Sequence, residues 1–335
     1  MTVELSPATA GPYLRERGVV APDADVEAET LGGGVSNRVV RATARERRLV
    51  LKQPLPNLDV ADDWPADVER VHNEAAAARA WGDALSDVDG ARVPAVAFED
   101  RDAHVVGFEC APADATPWKA DLLAGRVDRT VAETAGRALA AVHRAAAGDA
   151  DLRSSFGDRR PFEQLRLDPY HETTARRHPE VAEAIRTEAE RVRSVERTLV
   201  HGDYSPKNLL VGADVWILDF EVAHWGDPAF DAAFMCNHLL IESVYNRERQ
   251  AAYLDALDAF YAAYDAGVPW SVEAETAAEL AVLLLARVDG KSPVEYVGEG
   301  STAEALRRIA VRALREGPDT LDGVTALARE EVPAT

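Results

Sequence analysis

The sequence predicts an α+β protein, with a small β-rich lobe over residues 1–109 and a larger helical lobe over residues 110–335. Three observations carry this. Short β-branched runs crowd the first third of the chain, and long helical periodicities fill the rest. The two kinds of element are segregated rather than alternating, which disfavours a doubly wound sheet. With 335 residues, 47% apolar and 28% charged, the chain suits two lobes around one cleft and is too apolar for disorder.

Val26–Leu31, Val35–Ala42 and Arg48–Gln53 read as strands, separated by Gly32-Gly33-Gly34 and by the polar Thr43–Arg47. Asp67–Leu85 reads as a helix, with Val68, Val71, Ala75, Ala78 and Trp81 at helical spacing. Val93–Phe98 and His104–Phe108 are two more strands around the charged turn Glu99–Asp102, and the Pro-containing Cys110–Pro117 reads as a linker. Beyond it, Val127–Ala147, Pro179–Val195, Asp231–Val244, Arg249–Ala266, Val272–Val288 and Thr302–Arg315 carry helical periodicity. One island of strand interrupts them, Leu209–Val211 and Val215–Leu218 around Gly212-Ala213-Asp214.

The net charge of −21 repels the phosphates of nucleic acids and acidic membranes, so neither is an expected partner. Arginine outnumbers lysine 33 to 4. An acidic, lysine-poor surface fits work in high salt, and it equally fits plain solubility or the steering of a cationic ligand. No apolar run reaches the length of about 18 residues that a membrane span needs; Arg287 interrupts the greasiest stretch, Leu280–Val288. No secretory leader is expected, and Cys110 and Cys236 make neither a disulfide framework nor a zinc cluster. A cytoplasmic protein is expected.

The most informative segment is His201-Gly202-Asp203-Tyr204-Ser205-Pro206-Lys207-Asn208, followed by the strand island and then Asp219-Phe220-Glu221. A two-residue loop at Ala213-Asp214 places Asn208 opposite Asp219; a longer loop shifts this by one residue. A carboxylate and an amide oxygen meeting there suit a hard divalent cation. Asp203 is left on a loop, able to take a proton from a hydroxyl. The spacing H-x-D-x-x-x-x-N with a following D-F is the catalytic and metal-binding arrangement of kinases. Upstream, Gly32-Gly33-Gly34-Val35-Ser36-Asn37 lies between two strands, where glycines let backbone N–H groups approach phosphate oxygens. It is not a Walker A loop, and a plain glycine-rich turn is the alternative. Lys52 ends an apolar strand within reach of nucleotide phosphates, and Glu74 on the next helix is its partner.

These residues resemble the aminoglycoside phosphotransferase / choline kinase superfamily, whose fold is related to that of protein kinases. His201-Gly202-Asp203 and Asp219 match its signatures. Lys52-Gln53-Pro54-Leu55-Pro56, Trp64-Pro65 ahead of Glu74, and Asp219-x-Glu221 look most like methylthioribose kinase, and Gly226–Asp231 is also family-like. The resemblance spans about residues 25–315 and implies ATP and Mg²⁺ as cofactors. It implies Asp203 as the catalytic carboxylate, with His201 bracing the loop, and Asp219 as a Mg²⁺ ligand with Asn208 and Glu221 as further candidates. It also implies Lys52, held by Glu74, on the nucleotide phosphates, with Gly32, Gly33, Gly34, Ser36 and Asn37 covering them. Asp231 is expected to cap the next helix and brace the catalytic loop. Where methylthioribose kinases present an arginine pair, this chain has Ala286-Arg287-Val288, so Arg287 alone is the acceptor-pocket candidate.

Only a few residues separate Glu221 from Pro228, too few for an activation loop, and no Ala-Pro-Glu follows, so a peptide has no platform. The expected acceptor is therefore a small-molecule hydroxyl, of a methylthioribose-like sugar or, alternatively, of an aminoglycoside or amino alcohol. A nucleotide-binding pseudokinase is the alternative from another class.

Overall fold

The computed structural model describes residues 4–32, 35–45, 47–59 and 64–332. Ahead of the first expected strand lies a helix, α1 (Pro7–Glu16), which periodicity does not announce because Gly11 and Pro12 read as a turn. Ser6 and Thr9 form a capping box at its start, and Ala10, Tyr13 and Leu14 face inward.

Strands β1 (Glu27–Thr30), β2 (Asn37–Ala44) and β3 (Arg47–Pro54) follow, then α2 (Arg70–Ala84), β4 (Ala91–Arg92), β5 (Val96–Asp100) and β6 (Val105–Glu109). An antiparallel sheet forms in the order β1-β2-β3-β6-β5. Along β3 the two-residue repeat of a strand decides which side chain reaches where. Leu49 and Leu51 pack with Leu5, Tyr13 and Leu14, whereas Val50 and Lys52 line the cleft. Helix α2 buries Val71, Ala75, Ala78 and Trp81 as its periodicity predicts, and these join the core of the helical lobe.

The helical lobe starts with β7 (Thr116–Pro117) and α3 (Trp118–Leu123), so the segment expected as a linker already makes a strand. Then come α4 (Arg129–Ala146), α5 (Ala150–Ser155), α6 (Arg160–Phe162), a π-helical stretch (Glu163–Glu172), α7 (Thr173–Arg177) and α8 (Ala182–Ser194). Short strands β8 (Thr198–Val200), β9 (Leu209–Val211), β10 (Val215–Ile217) and β11 (His224–Gly226) precede α9 (Pro228–Tyr245), α10 (Gln250–Asp265), α11 (Glu273–Asp289), α12 (Ser301–Glu316) and α13 (Leu321–Glu331). Strands β4, β10, β9 and β7 form one small sheet, with β4 parallel to β10, and β11 pairs with β8. Helix α9 is buried on every side from Pro228 to Val244, as an apolar helix in a core must be. Helices α4 and α10 meet at Gly136, where a Cβ would lie 2.2 Å from the Phe260 carbonyl oxygen. Among the described residues, no helix is long and apolar enough to cross a membrane.

Candidate active site

A cavity of about 440 Å³ separates the five-stranded sheet from the β9–β10 hairpin. Its lining combines apolar side chains, among them Val39, Val50, Val93, Phe108 and Leu218, with the polar Lys52, Glu74, Asn208 and Asp219. Such a lining suits a flat heterocycle joined to an anionic chain. Gly32, Ser36 and Asn37 also border the cavity; Gly33 and Gly34, expected beside them, lie outside the described residues.

The Lys52 ammonium is 2.5 Å from Glu74 Oε1 and 2.8 Å from Asp219 Oδ1. Burial alone would lower its pKa, but the carboxylates of Asp219 and Glu74 outweigh burial and raise it, so it stays charged. One ammonium serves two carboxylates unequally. Burial pushes Glu74 up against the pull of Lys52, and its Oε2 has no partner. Asp219, for which burial is outweighed by Lys52 and Lys207, is held below its ordinary value and stays ionised. The expected Lys52–Glu74 pair is thus present, and Asp219 completes a triad.

Strand β8 leads directly into the loop His201–Asn208. Asp231, on α9, accepts the backbone N–H groups of His201 (2.6 Å) and Gly202 (2.8 Å). It braces the loop as expected, while the cap of α9 is Asp227, whose side chain accepts from Ala229 N. Gly202 has φ +78°, and a Cβ there would lie 2.8 Å from the Val222 carbonyl oxygen, so only glycine fits between His201 and Asp203. His201 Nε2 donates to the Leu218 carbonyl (3.0 Å) and Nδ1 accepts the Asp203 backbone N–H (3.2 Å). Burial lowers its pKa, so a neutral imidazole with both nitrogens engaged acts as a brace.

The Asp203 carboxylate is buried, and three donors reach its Oδ2 at 2.9 Å: Arg166 Nη2, Lys207 Nζ and Asn208 Nδ2. Burial alone would raise this carboxyl, but Arg166 and Lys207 outweigh it and hold it well below the usual carboxylate range. Arg166 is a functional residue that sequence reasoning missed. It sits in the π-helical stretch, whose charged, Pro169-containing sequence shows no clear period. The only signal was indirect: an aspartate in a buried loop requires a cation.

The hairpin loop has three residues, Gly212 to Asp214, because Val211 pairs with Val215. Asn208 therefore faces Leu218, whose N–H donates to the Asn208 carbonyl (2.9 Å), and not Asp219. Asp219 follows with a left-handed backbone, φ +72°. Asn208 spends its amide NH₂ on Asp203, which leaves its amide oxygen. That oxygen and the Asp219 carboxylate border one cavity, a donor set that fits a hard divalent cation.

Glu221, expected as a further metal ligand, is engaged elsewhere. Its Oε2 takes Arg70 Nε (3.1 Å) and Asn37 Nδ2 (2.9 Å), and the residue does not line the cavity. The reason is Arg70, whose side chain has no exposed surface and so needs a carboxylate. Arg70 also donates to the carbonyls of Ser36 (2.5 Å), Leu55 (3.0 Å) and Asp67 (2.8 Å). It thereby knots Ser36 and Leu55 to the start of α2 and to the segment after Asp219.

Arg287 is buried against Tyr170. Its guanidinium is 5.6 Å from the Tyr170 ring centre, and that of Arg166 is 5.7 Å from the same ring. Arg287 Nη1 donates to Ser292 Oγ (3.1 Å), and its Nε is buried without a partner. Burial would raise the Tyr170 hydroxyl; Arg287 and Arg166 outweigh it and lower it.

Residues 27–270 match the model of the phosphotransferase enzyme family. Among solved structures, the chain is similar to amicoumacin kinase hAmiN in complex with AMP-PNP, Ca²⁺ and Ami (14% identity, 95% of this chain and 96% of that chain covered, TM-score 0.57). It is also similar to a choline/ethanolamine kinase family protein from Mesorhizobium loti (18% identity, 96% and 99% covered, TM-score 0.50). No curated protein matches the sequence. A family match over most of the chain joins the kinase-like fold already described: the chain belongs to the phosphotransferase enzyme family and is a small-molecule kinase.

Proposed function

We propose that this kinase moves the γ-phosphoryl group of ATP to a hydroxyl of an uncharged, polyhydroxylated small molecule of the methylthioribose-like sugar kind. The lobe of residues 1–109 supplies the nucleotide-binding face, and the lobe of residues 110–335 supplies the catalytic loop and the acceptor site. The observation that carries this reading is that Lys52, Asp219 and Asn208 border one cavity while Asn208 also holds Asp203.

Lys52 faces the phosphates, and Ser36 and Asn37 border them. Asp219 and the Asn208 amide oxygen are the donors for Mg²⁺, which when bound neutralises phosphate charge. Asp203 Oδ2 is occupied by three donors, so Oδ1 receives the acceptor hydroxyl. The acceptor oxygen bonds to the γ-phosphorus, the bond from that phosphorus to the β,γ-bridging oxygen breaks, ADP leaves, and the hydroxyl proton passes to Asp203. A carboxylate held so far below its ordinary range is a weak base. That is compatible with a loose transition state, in which the proton leaves late and positioning dominates.

The surroundings of Asp203 favour an uncharged acceptor. Arg166, Lys207 and Arg287 gather there with the aromatic Tyr170 and Phe234. A polyamine would meet like charge. ADP release measured with methylthioribose, other pentoses, aminoglycosides, choline and homoserine tests the reading. Turnover is expected with the sugars, and Asp203→Asn should lower it by about 10²–10⁴-fold with nucleotide affinity kept. Turnover confined to aminoglycosides would replace the sugar reading. ATP binding with no transfer to any acceptor, unchanged by Asp203→Asn, would favour a pseudokinase.

A further inference from the structure

We propose a second metal site, for a borderline divalent cation of the Zn²⁺ class, on the nucleotide lobe at Glu69, His72 and His104. It shares no residue with the nucleotide cleft. Glu69 and His72 stand at the start of α2, and His104 ends the turn between β5 and β6. One ligand atom from each lies within 4.8 Å of the other two.

His72 is the anchor. Its side chain is 5% exposed, and its Nδ1 lies 2.9 Å from Glu99 Oε1. A carboxylate only accepts, so Nδ1 donates to it, which leaves Nε2 directed at the cluster. Glu99 is itself fixed by Arg79 (3.1 Å) and Arg101 (2.8 Å). A carboxylate fixing the far nitrogen of an imidazole is the arrangement that orients metal-bound histidines.

His72 Nε2 faces His104 Nδ1 at 3.3 Å, and His104 Nδ1 is 3.6 Å from Glu69 Oε1. Four-coordinate bonds of about 2.0–2.2 Å place neighbouring ligands about 3.3–3.6 Å apart. Two edges of the ligand triangle already have that length. The set is two imidazoles and one carboxylate, which suits Zn²⁺ or Co²⁺ better than Mg²⁺. Glu69 is 62% exposed and His104 33%, so water completes the coordination from the solvent side. Because Arg70 and Glu74 stand on the same helix, an ion here ties the start of α2 to the β5–β6 turn behind the Lys52 triad.

The full-length protein, stripped by chelator and kept free of nucleotide and Mg²⁺, is titrated with CoCl₂ while visible d–d absorption is followed. One equivalent should bind with the strong absorption of four-coordinate Co²⁺, and ZnCl₂ should displace it. His104→Ala, at a partly exposed position, should abolish the band. Glu99→Gln should weaken binding about 10–100-fold, and Asp219→Ala should leave the band intact. Wild-type protein that takes up no Co²⁺, or a band that survives His104→Ala, overturns the site; the two imidazoles then share only a hydrogen bond.

Discussion

Breaking the Arg70–Glu221 pair separates a metal-ligand role for Glu221 from a structural one. The two groups are 3.1 Å apart, with side chains 0% and 7% exposed. At an effective dielectric of about 20 their attraction is about 5 kcal/mol before desolvation is subtracted. Arg70→Met leaves the Glu221 charge buried and removes donors from the Ser36, Leu55 and Asp67 carbonyls. The expected loss is about 3–5 kcal/mol, a large share of the roughly 5–15 kcal/mol that holds a domain folded. Glu221→Gln is milder, because it keeps shape and an acceptor oxygen, and should cost about 1–3 kcal/mol. Urea unfolding followed by tryptophan fluorescence gives both values and that of the double variant. The coupling energy should be about 1–3 kcal/mol. Titrating Mg²⁺ against nucleotide affinity gives the second readout, which Glu221→Gln should leave within a few-fold of wild type. Coupling below about 0.5 kcal/mol, or a Glu221→Gln protein of normal stability whose nucleotide affinity no longer responds to Mg²⁺, would refute the assignment.

Asp219→Ala should weaken Mg²⁺-dependent ATP binding itself, since it removes a proposed ligand and the 2.8 Å partner of Lys52; metal-dependent affinity equal to wild type in a fluorescent-nucleotide titration would contradict it. Gly202→Ala should destabilise the fold by about 1–3 kcal/mol and depress turnover, because φ +78° and the Val222 carbonyl leave no room for a Cβ; a variant with wild-type unfolding midpoint and activity would count against the brace. Burial pushes Glu279 up to about 8 and Glu188 up to about 7. Carboxyls raised above an unfolded value of about 4.3 give stability that is full below that value and lost as pH rises through 7 and 8. The unfolding midpoint should therefore fall between about pH 5 and pH 9, and Glu279→Gln should flatten that slope; parallel pH profiles for the two proteins would sink the idea.

The legible parts of this molecule are those where one periodicity or one local motif decides the outcome. The alternation in Leu49-Val50-Leu51-Lys52 sends Lys52 to the cleft, and helical spacing in α2 carries Glu74 toward it. The loop from His201 to Asn208 was readable because its roles lie within eight consecutive positions. What escaped depends on burial that no local pattern records. Arg70 opens a periodic helix and reads as a surface charge, yet its side chain is wholly buried and takes up the Glu221 carboxylate. Arg166 lies in a stretch of π-helix, where side chains fall out of the 3.6-residue repeat. The position of Asn208 turned on one residue of loop length, which Gly212-Ala213-Asp214 does not decide.

The lysines sharpen the functional argument. The chain has 4 against 33 arginines, so a surface cation is nearly always arginine. Lys52 and Lys207 pair with Asp219 and Asp203, the two acidic residues proposed to serve the reaction. Lys119 pairs with Glu295, and its charge reaches His238, which also feels Arg287, Asp203 and Lys207. The Lys291 ammonium lies 4.8 Å from the Trp64 ring, and its backbone N–H donates to Pro169, next to Tyr170. Of the four, Lys52 lines the cleft and Lys207 pairs with Asp203. An ammonium is a compact point charge that can turn toward a phosphate as it moves, whereas a planar guanidinium fixes a direction. Arginine holds what stays still here: Arg70 against the Ser36 carbonyl, Arg166 against Asp203, Arg287 against Tyr170. On that division of labour, Lys52→Arg and Lys207→Arg keep the charge yet should each impair transfer more than binding. Equal kcat for both arginine variants and wild type would show that charge alone suffices.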